Sequence, residues 1–565
     1  MPADTEFSHR TRAAALAAMA DRPVDLLIVG GGITGAGIAR DAALRGLRVA
    51  VVDKGDIAGG TSSLSSRLIH GGLRYLEQRD FHLVFEACRE RRLLLRAAPH
   101  LVRPLAFLFP AYQGQRVPAW QLRAGLWLYD LLAAFRNVRM HQWLSRSDIR
   151  REEPSLRDKN LQGGGRYFDA QTDDARLTLA IMRSAAQAGA LVASYALVES
   201  FEKADGRIGG AQVRDLLTRE VRTVHARVVI NATGPWVDRV RQLDDPGVTP
   251  LLRPTKGAHV LVPRARLGHT NAITLFSPLD GRVMFVLPWG EFSYVGTTDT
   301  DTDASPEEVR ATGEDVTYLL RSANAIFPQA RLTPKDVLST WAGLRPLLAP
   351  AEGRGALHAS QVSREHRIVE SPSGLVTIAG GKLTTYRVMG RQVVDLAVRR
   401  LHAATGLPIG DAPPTDTLPL PGGETADLEG LVNAAQSRGA KEATARHLVA
   451  SYGSESAAIL NLAEKNRVLA GPIIPGRPEI RAEVVHAVER EMAIRLSDVM
   501  MRRLHLFYED PARATNAATR VAHKMKELLG WDEAREEEEI GGYLDEVKRS
   551  QRFLKEVGRQ SAVIT

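Results

Sequence analysis

Two short apolar runs stand near the start of the chain, Leu26-Leu27-Ile28-Val29 and Val49-Ala50-Val51-Val52, and a run of small residues, Ala36-Gly37-Ile38-Ala39, lies between them. The pattern predicts a buried strand, a helix packed closely on it, and a second strand beside the first. Gly30, Gly32 and Gly35 fill the turn from strand to helix, and Asp53 closes the second strand. Gly30 suits a tight turn, Gly32 lets the backbone approach a pyrophosphate, and Gly35 lets helix and strand pack. The helix N-terminus then faces phosphate, and a carboxylate roughly 20 residues on accepts hydrogen bonds from a ribose. An adenine dinucleotide is the ligand this arrangement predicts. A glycine-rich turn in an unrelated α/β protein does not explain the acid.

Further along, the texture changes. Residues 1–21 read as a short helical or disordered lead, and 25 to about 103 as α/β. An amphipathic helix is predicted over 119–144, carrying Trp120, Trp127, Phe135 and Trp143 beside Arg123, Arg136 and Arg139. From about 164 to 350, short alternating runs at 258–262, 282–287 and 292–295 predict antiparallel strands. The run Arg227-Val228-Val229-Ile230, followed by Asn231-Ala232-Thr233-Gly234, reads as a parallel strand returning to the nucleotide domain; 376–379 before Gly380-Gly381 reads as one more. The expected fold class is α/β. A discontinuous Rossmann-like domain spans 22–405, with an antiparallel-sheet substrate domain inserted at about 240–345. A Pro/Gly linker at 406–424 and a helical C-terminal domain at 425–565 follow, and the acidic run at 536–539 reads as a solvated helix face.

Composition narrows the function. The chain of 565 residues has room for more than one domain, and 74 basic against 66 acidic residues give a net charge of +8. That balance suits anionic metabolites or anionic lipid; without zinc spacing, a recognition-helix motif or a basic tail, nucleic acid is not expected as a partner. The single cysteine, Cys88, excludes an internal disulfide and any cysteine-rich metal site, and suits a reducing compartment. The histidines lack metal-ligand spacing, so no metal is expected. Residues 13–20 are too short for a secretion signal, and no run of about 18 apolar residues predicts a membrane span.

FAD and NAD enzymes share the first turn, so other segments decide between them. Thr61, Ser62, Ser63, Ser65 and Ser66 follow the second strand and bring hydroxyls and amides towards a pyrophosphate or flavin, and Ala232-Thr233-Gly234 suits a turn against the same cofactor. Gly380-Gly381-Lys382-Leu383-Thr384-Thr385 sets a second helix N-terminus facing a flavin ring. Reduced flavin is negative around N1, and a positive helix end stabilises it by ~1–2 kcal/mol when partly buried. A nicotinamide enzyme has no need of that second site.

These segments closely resemble the FAD-dependent glycerol-3-phosphate dehydrogenases, within the larger family of amine and hydroxy-acid oxidising flavoproteins. The resemblance is carried by 30–39, by 65–76 (Ser-Ser-Arg-Leu-Ile-His-Gly-Gly-Leu-Arg-Tyr-Leu), and by Asp173-Asp174-Ala175-Arg176-Leu177. It continues through 231–237, Lys256-Gly257-Ala258-His259, Gly296-Thr297-Thr298-Asp299, Gly343-Leu344-Arg345-Pro346-Leu347 and 380–387. The match runs from about 25 to 390 in the family's order, and the helical tail resembles the family's C-terminal domain more loosely. Asp53 stands where many relatives carry Glu; either carboxylate serves the ribose.

The resemblance implies oxidation of sn-glycerol 3-phosphate to dihydroxyacetone phosphate, with hydride passing from C2 to N5 of non-covalently bound FAD. Holding the phosphate dianion calls for several cations, and Arg74, Arg345, Arg364 and Lys382 are the candidates. Accepting the hydroxyl proton points to histidine: His259 is read as the base, and His70 as an orienting or flavin-contacting group. Arg345 is expected to stabilise the developing alkoxide, and Tyr75 and Thr385 to add hydrogen bonds or merely to pack. Cys88, in a helical stretch away from the flavin motifs, is not expected to attach the cofactor.

The implied electron acceptor is a quinone in respiratory relatives and dioxygen, giving peroxide, in oxidase relatives; both readings stay open. A quinone user docks on the inner face of the cytoplasmic membrane, and two stretches offer a docking face. One is the Trp/Arg segment at 120–144; the other is the helix after the flavin loop, where Arg387, Arg391, Arg399 and Arg400 accompany Val393, Val394, Leu396, Ala397 and Leu401. Both also suit helices packed into the protein. A cytoplasmic, peripheral homodimer is the expected state. An amino-acid or other hydroxy-acid oxidase, and a flavin-binding module acting on RNA, are the competing readings.

Overall fold

The computed structural model describes residues 7–77, 80–349, 365–406 and 410–563, the side chains of Arg74, Thr405 and 559–563 excepted. Among the described residues the strands fall into two sheets, of eight and ten strands.

The first sheet is built around Val24–Val29, whose apolar residues are buried on both faces. It pairs in parallel with Val49–Val52 on one side (Leu26 opposite Val49) and with Val221–Asn231 on the other (Leu26 opposite Val228). Val376–Gly380 joins the latter in parallel, Ile230 opposite Val376, so the two returning strands read from 227–230 and 376–379 lie where expected. Helix Ile33–Leu44 covers one face and crosses helix Tyr386–Thr405 at glycine on both sides: a Cβ on Gly390 would come within 2.8 Å of the Gly37 backbone.

The second sheet is largely antiparallel and carries Thr255–Pro263, Val283–Trp289 and Phe292–Gly296, the strands expected from their alternation. It also draws in Leu68–Ile69, Val102–Tyr112, Gln142–Leu144 and Leu161–Thr172, which lie outside the expected 240–345 window. Val102–Tyr112 and Leu161–Thr172 form one long antiparallel pair, although a helix intervenes between them in sequence. That helix is Ala119–Leu132 and does not run on to 144: Ala134 and Phe135 take left-handed φ values of 52° and 53°, and Trp143 sits on a strand.

The lead forms helix His9–Asp21, tied down by Arg12, which donates to Asp215 at 2.7 and 3.1 Å. The Pro/Gly linker is pinned where it is described. Leu420 donates its amide to the Ala97 carbonyl at 2.8 Å, and the Arg40 guanidinium donates to the Leu418 carbonyl at 3.0 Å.

Beyond the linker the chain is helical, as expected, and buried polar pairs bind it to the nucleotide domain. Arg176 pairs with Glu491 at 2.6 Å, Arg503 with Asp56 at 2.8 Å, and His505 with Asp173 at 2.5 Å. The acidic run differs from expectation. Glu537 and Glu538 are solvated, but Glu539 turns inward and accepts the Leu496 amide at 2.9 Å, because helix Glu533–Ser550 packs that face on the bundle.

Burial works to protonate Glu491, but Arg176, His486 and Arg183 hold its carboxyl down to about 2. Its contribution to stability is present above the unfolded value near 4.5 and is lost only as pH falls through about 2. Replacing Glu491 by Ala strands the Arg176 cation and is expected to cost about 3–5 kcal/mol. The variant should unfold several degrees earlier in calorimetry at pH 7; an unchanged melting profile would contradict the role given to this pair.

Candidate active site

One cavity of about 1110 Å³ collects the loops that leave the first sheet and the inner face of the second. It is larger than the roughly 300–1,000 Å³ of ordinary small-molecule sites, with room for a dinucleotide and a small substrate. Every candidate residue whose side chain is described lines it, except Gly35, Thr385 and Ser63, whose hydroxyl is turned to the Gly60 carbonyl. Gly35 backs the turn: a Cβ there would fall 1.9 Å from the Gly30 carbonyl oxygen. Gly30 itself has φ 113°, open to glycine and strained for other residues. Thr385 is buried behind Lys382–Thr384. Arg364 and the Arg74 side chain lie outside the described residues; the Arg74 backbone belongs to the short helix Leu73–Leu76.

At one end, Asp53 accepts the amides of Gly31 at 2.6 Å and Gly55 at 2.7 Å. Burial outweighs those two bonds and pushes its carboxyl up to about 6. The Ser62 hydroxyl accepts the Ile33 amide at 2.9 Å and so caps the first helix, whose N-terminus opens on the cavity. Thr61 donates its hydroxyl to the Leu344 carbonyl at 2.7 Å, and Ser65 donates to Asp174 at 2.6 Å. These two hydroxyls are spent on the protein, and the loop carrying them is thereby fixed against both the substrate sheet and helix Asp174–Gln187. Ala232, Thr233 and Gly234 border the same end, the Thr233 hydroxyl turned to Asn231 at 2.7 Å.

Towards the other end, the backbone through Gly380 and Gly381 (φ 81° and 89°) swings Lys382 to the start of the short helix Leu383–Thr385, which runs into Tyr386–Thr405. The Lys382 ammonium lies 3.6 Å from the centre of the Tyr75 ring, and His70 stacks on the same ring at 6.3 Å. Arg345 ends strand Ser339–Arg345. Its guanidinium donates to Asp299 at 2.8 Å, to the Thr297 hydroxyl at 3.0 Å and to the Thr298 carbonyl at 3.1 Å. Gly257 gives it room, since a Cβ there would meet Nη2 at 2.6 Å.

His259 is enclosed. Its ring stacks on Trp341 at 5.0 Å, and Nε2 lies 2.9 Å from the Ser66 hydroxyl. Burial, then Arg345 and Arg67, bring its pKa down to about 3, so the imidazole is neutral throughout the physiological range.

Six residues of the site escaped the sequence reading. Arg67, buried and stacked 4.3 Å from Trp289 and 5.1 Å from Trp341, carries a fixed charge behind His259; a charged residue inside the run Ser66–Ile69 was its only signal. Asp299 and Thr297 clamp Arg345 but fall in a segment quoted only for its resemblance. The C-terminal domain supplies Met501, Phe507 and Tyr508 to the cavity wall, which no local pattern announced.

Cys88 also differs from expectation. It is not remote from the flavin motifs: a Cβ on Gly71, next to His70, would fall 2.4 Å from its sulfur. Burial pushes its thiol up to about 11, so proximity does not make it a nucleophile.

The residues present fit an FAD. A helix N-terminus and a buried carboxylate acceptor meet at one end, and a second helix start follows Gly381 at the other. An ionised carboxylate is the stronger acceptor for a hydroxyl, so if Asp53 takes the ribose as expected, FAD affinity should weaken as pH falls through about 6. Fluorescence titration of apoprotein between pH 8 and 5 measures this, and the weakening should disappear in Asp53→Asn. A pH-independent affinity in the parent protein would rule out that role.

Comparison with known proteins agrees with this geometry. Residues 25–396 match the family model described as FAD dependent oxidoreductase, and 413–536 match the C-terminal domain of alpha-glycerophosphate oxidase. The chain is 38% identical over 545 residues to glycerol-3-phosphate dehydrogenase 2 of Mycobacterium tuberculosis, covering 95% of this chain and 90% of that protein. It is 37% identical over 547 residues to the aerobic glycerol-3-phosphate dehydrogenase of Staphylococcus aureus, covering 95% and 96%. Among solved structures, glycerol-3-phosphate dehydrogenase of Bacillus halodurans complexed with FAD superposes with a TM-score of 0.80 at 32% identity, covering 96% of this chain and 98% of that one.

Proposed function

The chain belongs to the FAD dependent oxidoreductase family, and from that premise we propose that it oxidises sn-glycerol 3-phosphate at C2 to dihydroxyacetone phosphate. Bound FAD supplies the hydride acceptor. The observation that carries the substrate is the presence of both Arg345 and Lys382 in the lining of the same cavity, delivered by strands of different sheets. A phosphate dianion suits an arginine already held in a fixed plane, because little side-chain freedom remains to be lost on binding. Asp299 and Thr297 impose that plane on Arg345. Arg74 and Arg364 complete the proposed cationic set, and Tyr75 positions Lys382 through its ring face.

In this reading His259 takes up the hydroxyl proton. Its imidazole is neutral and so has a lone pair for the proton, although burial and the nearby arginines make it a weak base, and the Ser66 hydroxyl at Nε2 links the ring to the cavity. Arg345 stabilises the oxygen as its proton leaves, and His70 orients the flavin side of the pocket.

The acceptor proposed is a quinone, reached by docking on a membrane surface. Among the described residues no helix is long and apolar enough to cross a membrane. Of the two stretches read as docking faces, the helix Tyr386–Thr405 is withdrawn. Its Val393, Val394, Ala397 and Leu401 are at most 3% exposed in the nucleotide-domain core, where burying each large side chain is worth about 1.5–3 kcal/mol. The segment near 120–140 is different. Helix Ala119–Leu132 buries Leu122, Leu126 and Tyr129 but leaves Trp120 72% and Trp127 55% exposed. Phe135 and Met140 beyond it are exposed too, as are Phe81 and Phe85 of the neighbouring helix Phe81–Ala97. Arg92 lies in a basic cluster with Arg136, Arg96 and Arg89. An apolar patch rimmed by arginines suits an anionic lipid surface.

Adding glycerol 3-phosphate without oxygen should bleach the flavin band, and sarcosine or a D-amino acid should not. Replacing Arg345 by Ala should lower kcat/KM by about 10–100-fold with FAD retained, and His259→Gln should lower kcat by at least roughly 100-fold. Near-normal turnover in either variant would refute its role. Faster reoxidation by a soluble quinone than by air supports the quinone; the reverse order makes the protein an oxidase.

Vesicles containing phosphatidylglycerol should sediment the parent protein. The double variant Trp120→Glu/Trp127→Glu should stay in the supernatant with its soluble-quinone activity intact; co-sedimentation of that variant would refute the docking face.

A further inference from the structure

Glu307 ties together three stretches of chain that meet at the Asp53 end of the cavity. Its carboxylate accepts from the Lys54 ammonium at 2.5 Å, from the Trp236 indole N–H at 2.7 Å, and from the Arg239 guanidinium at 3.1 and 3.2 Å. Lys54 directly follows Asp53; Trp236 and Arg239 follow the Ala232-Thr233-Gly234 turn; Glu307 lies on the loop between strand Thr300–Asp301 and helix Gly313–Ile326. All four side chains border the cavity. The ammonium also lies 4.2 Å from the centre of the indole ring, and Arg239 donates to Ser305 at 3.1 Å.

Its other contacts lie at its two ends: Arg253 donates to Asp301 at 2.7 Å, Arg310 donates to Glu556 at 2.7 Å, and Val309 packs against Ala258, Ala311 and Ala342. None of residues 301–308 is buried, and the first buried apolar side chain after Glu307 is Ala311, just before the capped helix begins. A segment held by partly exposed polar contacts and flanked by an anchored helix opens at low cost compared with the core. Burial works to protonate Glu307, but hydrogen bonds from Lys54, Ser305 and Trp236 keep it ionised, so the clasp stays charged across the working pH range.

We propose that Glu307 is a latch: it holds the 302–310 loop across the ribose and adenine end of the cavity, and its release is the step through which FAD leaves and re-enters. The inference rests on the family's cofactor and not on the identity of the substrate. When the latch opens, Lys54 and Arg239 lose their counter-charge and the indole loses its acceptor. Salt weakens such partly exposed pairs, so salt should hasten cofactor release.

The test uses the FAD-loaded protein. High dilution, at which rebinding is negligible, reports the dissociation rate by the rise in flavin fluorescence as FAD leaves the protein. Glu307→Gln should speed release by about fivefold, the effect of losing two or three partly exposed charged contacts. Raising the salt should speed release from the parent protein several-fold and leave the variant nearly unchanged. Arg239→Gln should give an intermediate rate, while the KM for glycerol 3-phosphate should stay within about twofold in both variants, since neither residue belongs to the proposed substrate set. Release from Glu307→Gln at the parent rate, or a salt response that survives the substitution, overturns the latch. Parent protein purified without any flavin would instead count against the cofactor assignment itself.

Discussion

Two amide hydrogen bonds, Ala232 to the Val29 carbonyl and Gly30 to the Val52 carbonyl, both 2.8 Å, carry the parallel ladder one step past the ends of its strands. They set where the three loops of the cofactor end emerge. A parallel sheet has no turn to define its register, so the alignment rests on these bonds and on the buried apolar faces on either side. With Val376–Gly380 in register beside them, the glycine turn, the Ala-Thr-Gly turn and the Gly380–Gly381 turn open on one edge although hundreds of residues separate them. Ligands of open α/β sheets bind at that carboxyl edge for this reason.

The second constraint is the treatment of charge away from water. Arg67, Arg176 and Arg503 are all buried, and each has a carboxylate: Asp174 at 3.9 Å, Glu491 at 2.6 Å and Asp56 at 2.8 Å. Such pairs add little net stability over well-packed apolar residues, but removing one member is expensive. Their effect here is to specify an arrangement. The C-terminal bundle docks where its arginines meet Asp56 and where Tyr508 meets the Arg67–Trp341 stack, and it thereby becomes a wall of the cavity instead of an appendage. Burial first, and then Arg345 and Arg67, keep His259 neutral.

What could be read from the chain is what local pattern encodes. The glycine turn, the acid that ends the second strand and the two returning parallel strands each occupy a few consecutive residues, and each lies where expected. The failures are long-range. Val102–Tyr112 and Leu161–Thr172 read poorly as partners because a helix separates them, and Trp143 was assigned to that helix because nothing local marks the left-handed pair Ala134–Phe135 as its end. Helix Tyr386–Thr405 looks equally suited to lipid or to a core; only its crossing with Ile33–Leu44 at Gly37 and Gly390 decides. Glu539 turns inward from an acidic run for an equally non-local reason, the Leu496 amide that waits for it. In the site, residue types were legible and their partners were not. Arginine at 345 suggests an anion, but Asp299, which gives it a fixed plane, becomes visible only in three dimensions.

The setting of Cys88 has a bearing on durability. A flavoprotein whose electrons escape to dioxygen generates oxidant within its own pocket, and the usual casualty is a thiolate. Cys88 is only 5% exposed, its sulfur beneath Gly71, and with a pKa near 11 its thiolate fraction is on the order of 10⁻⁴ at neutral pH. Sulfenic acid formation is correspondingly slow. Oxidant formed there meets instead the thioether of Met501 in the cavity wall, which needs no deprotonation to be oxidised.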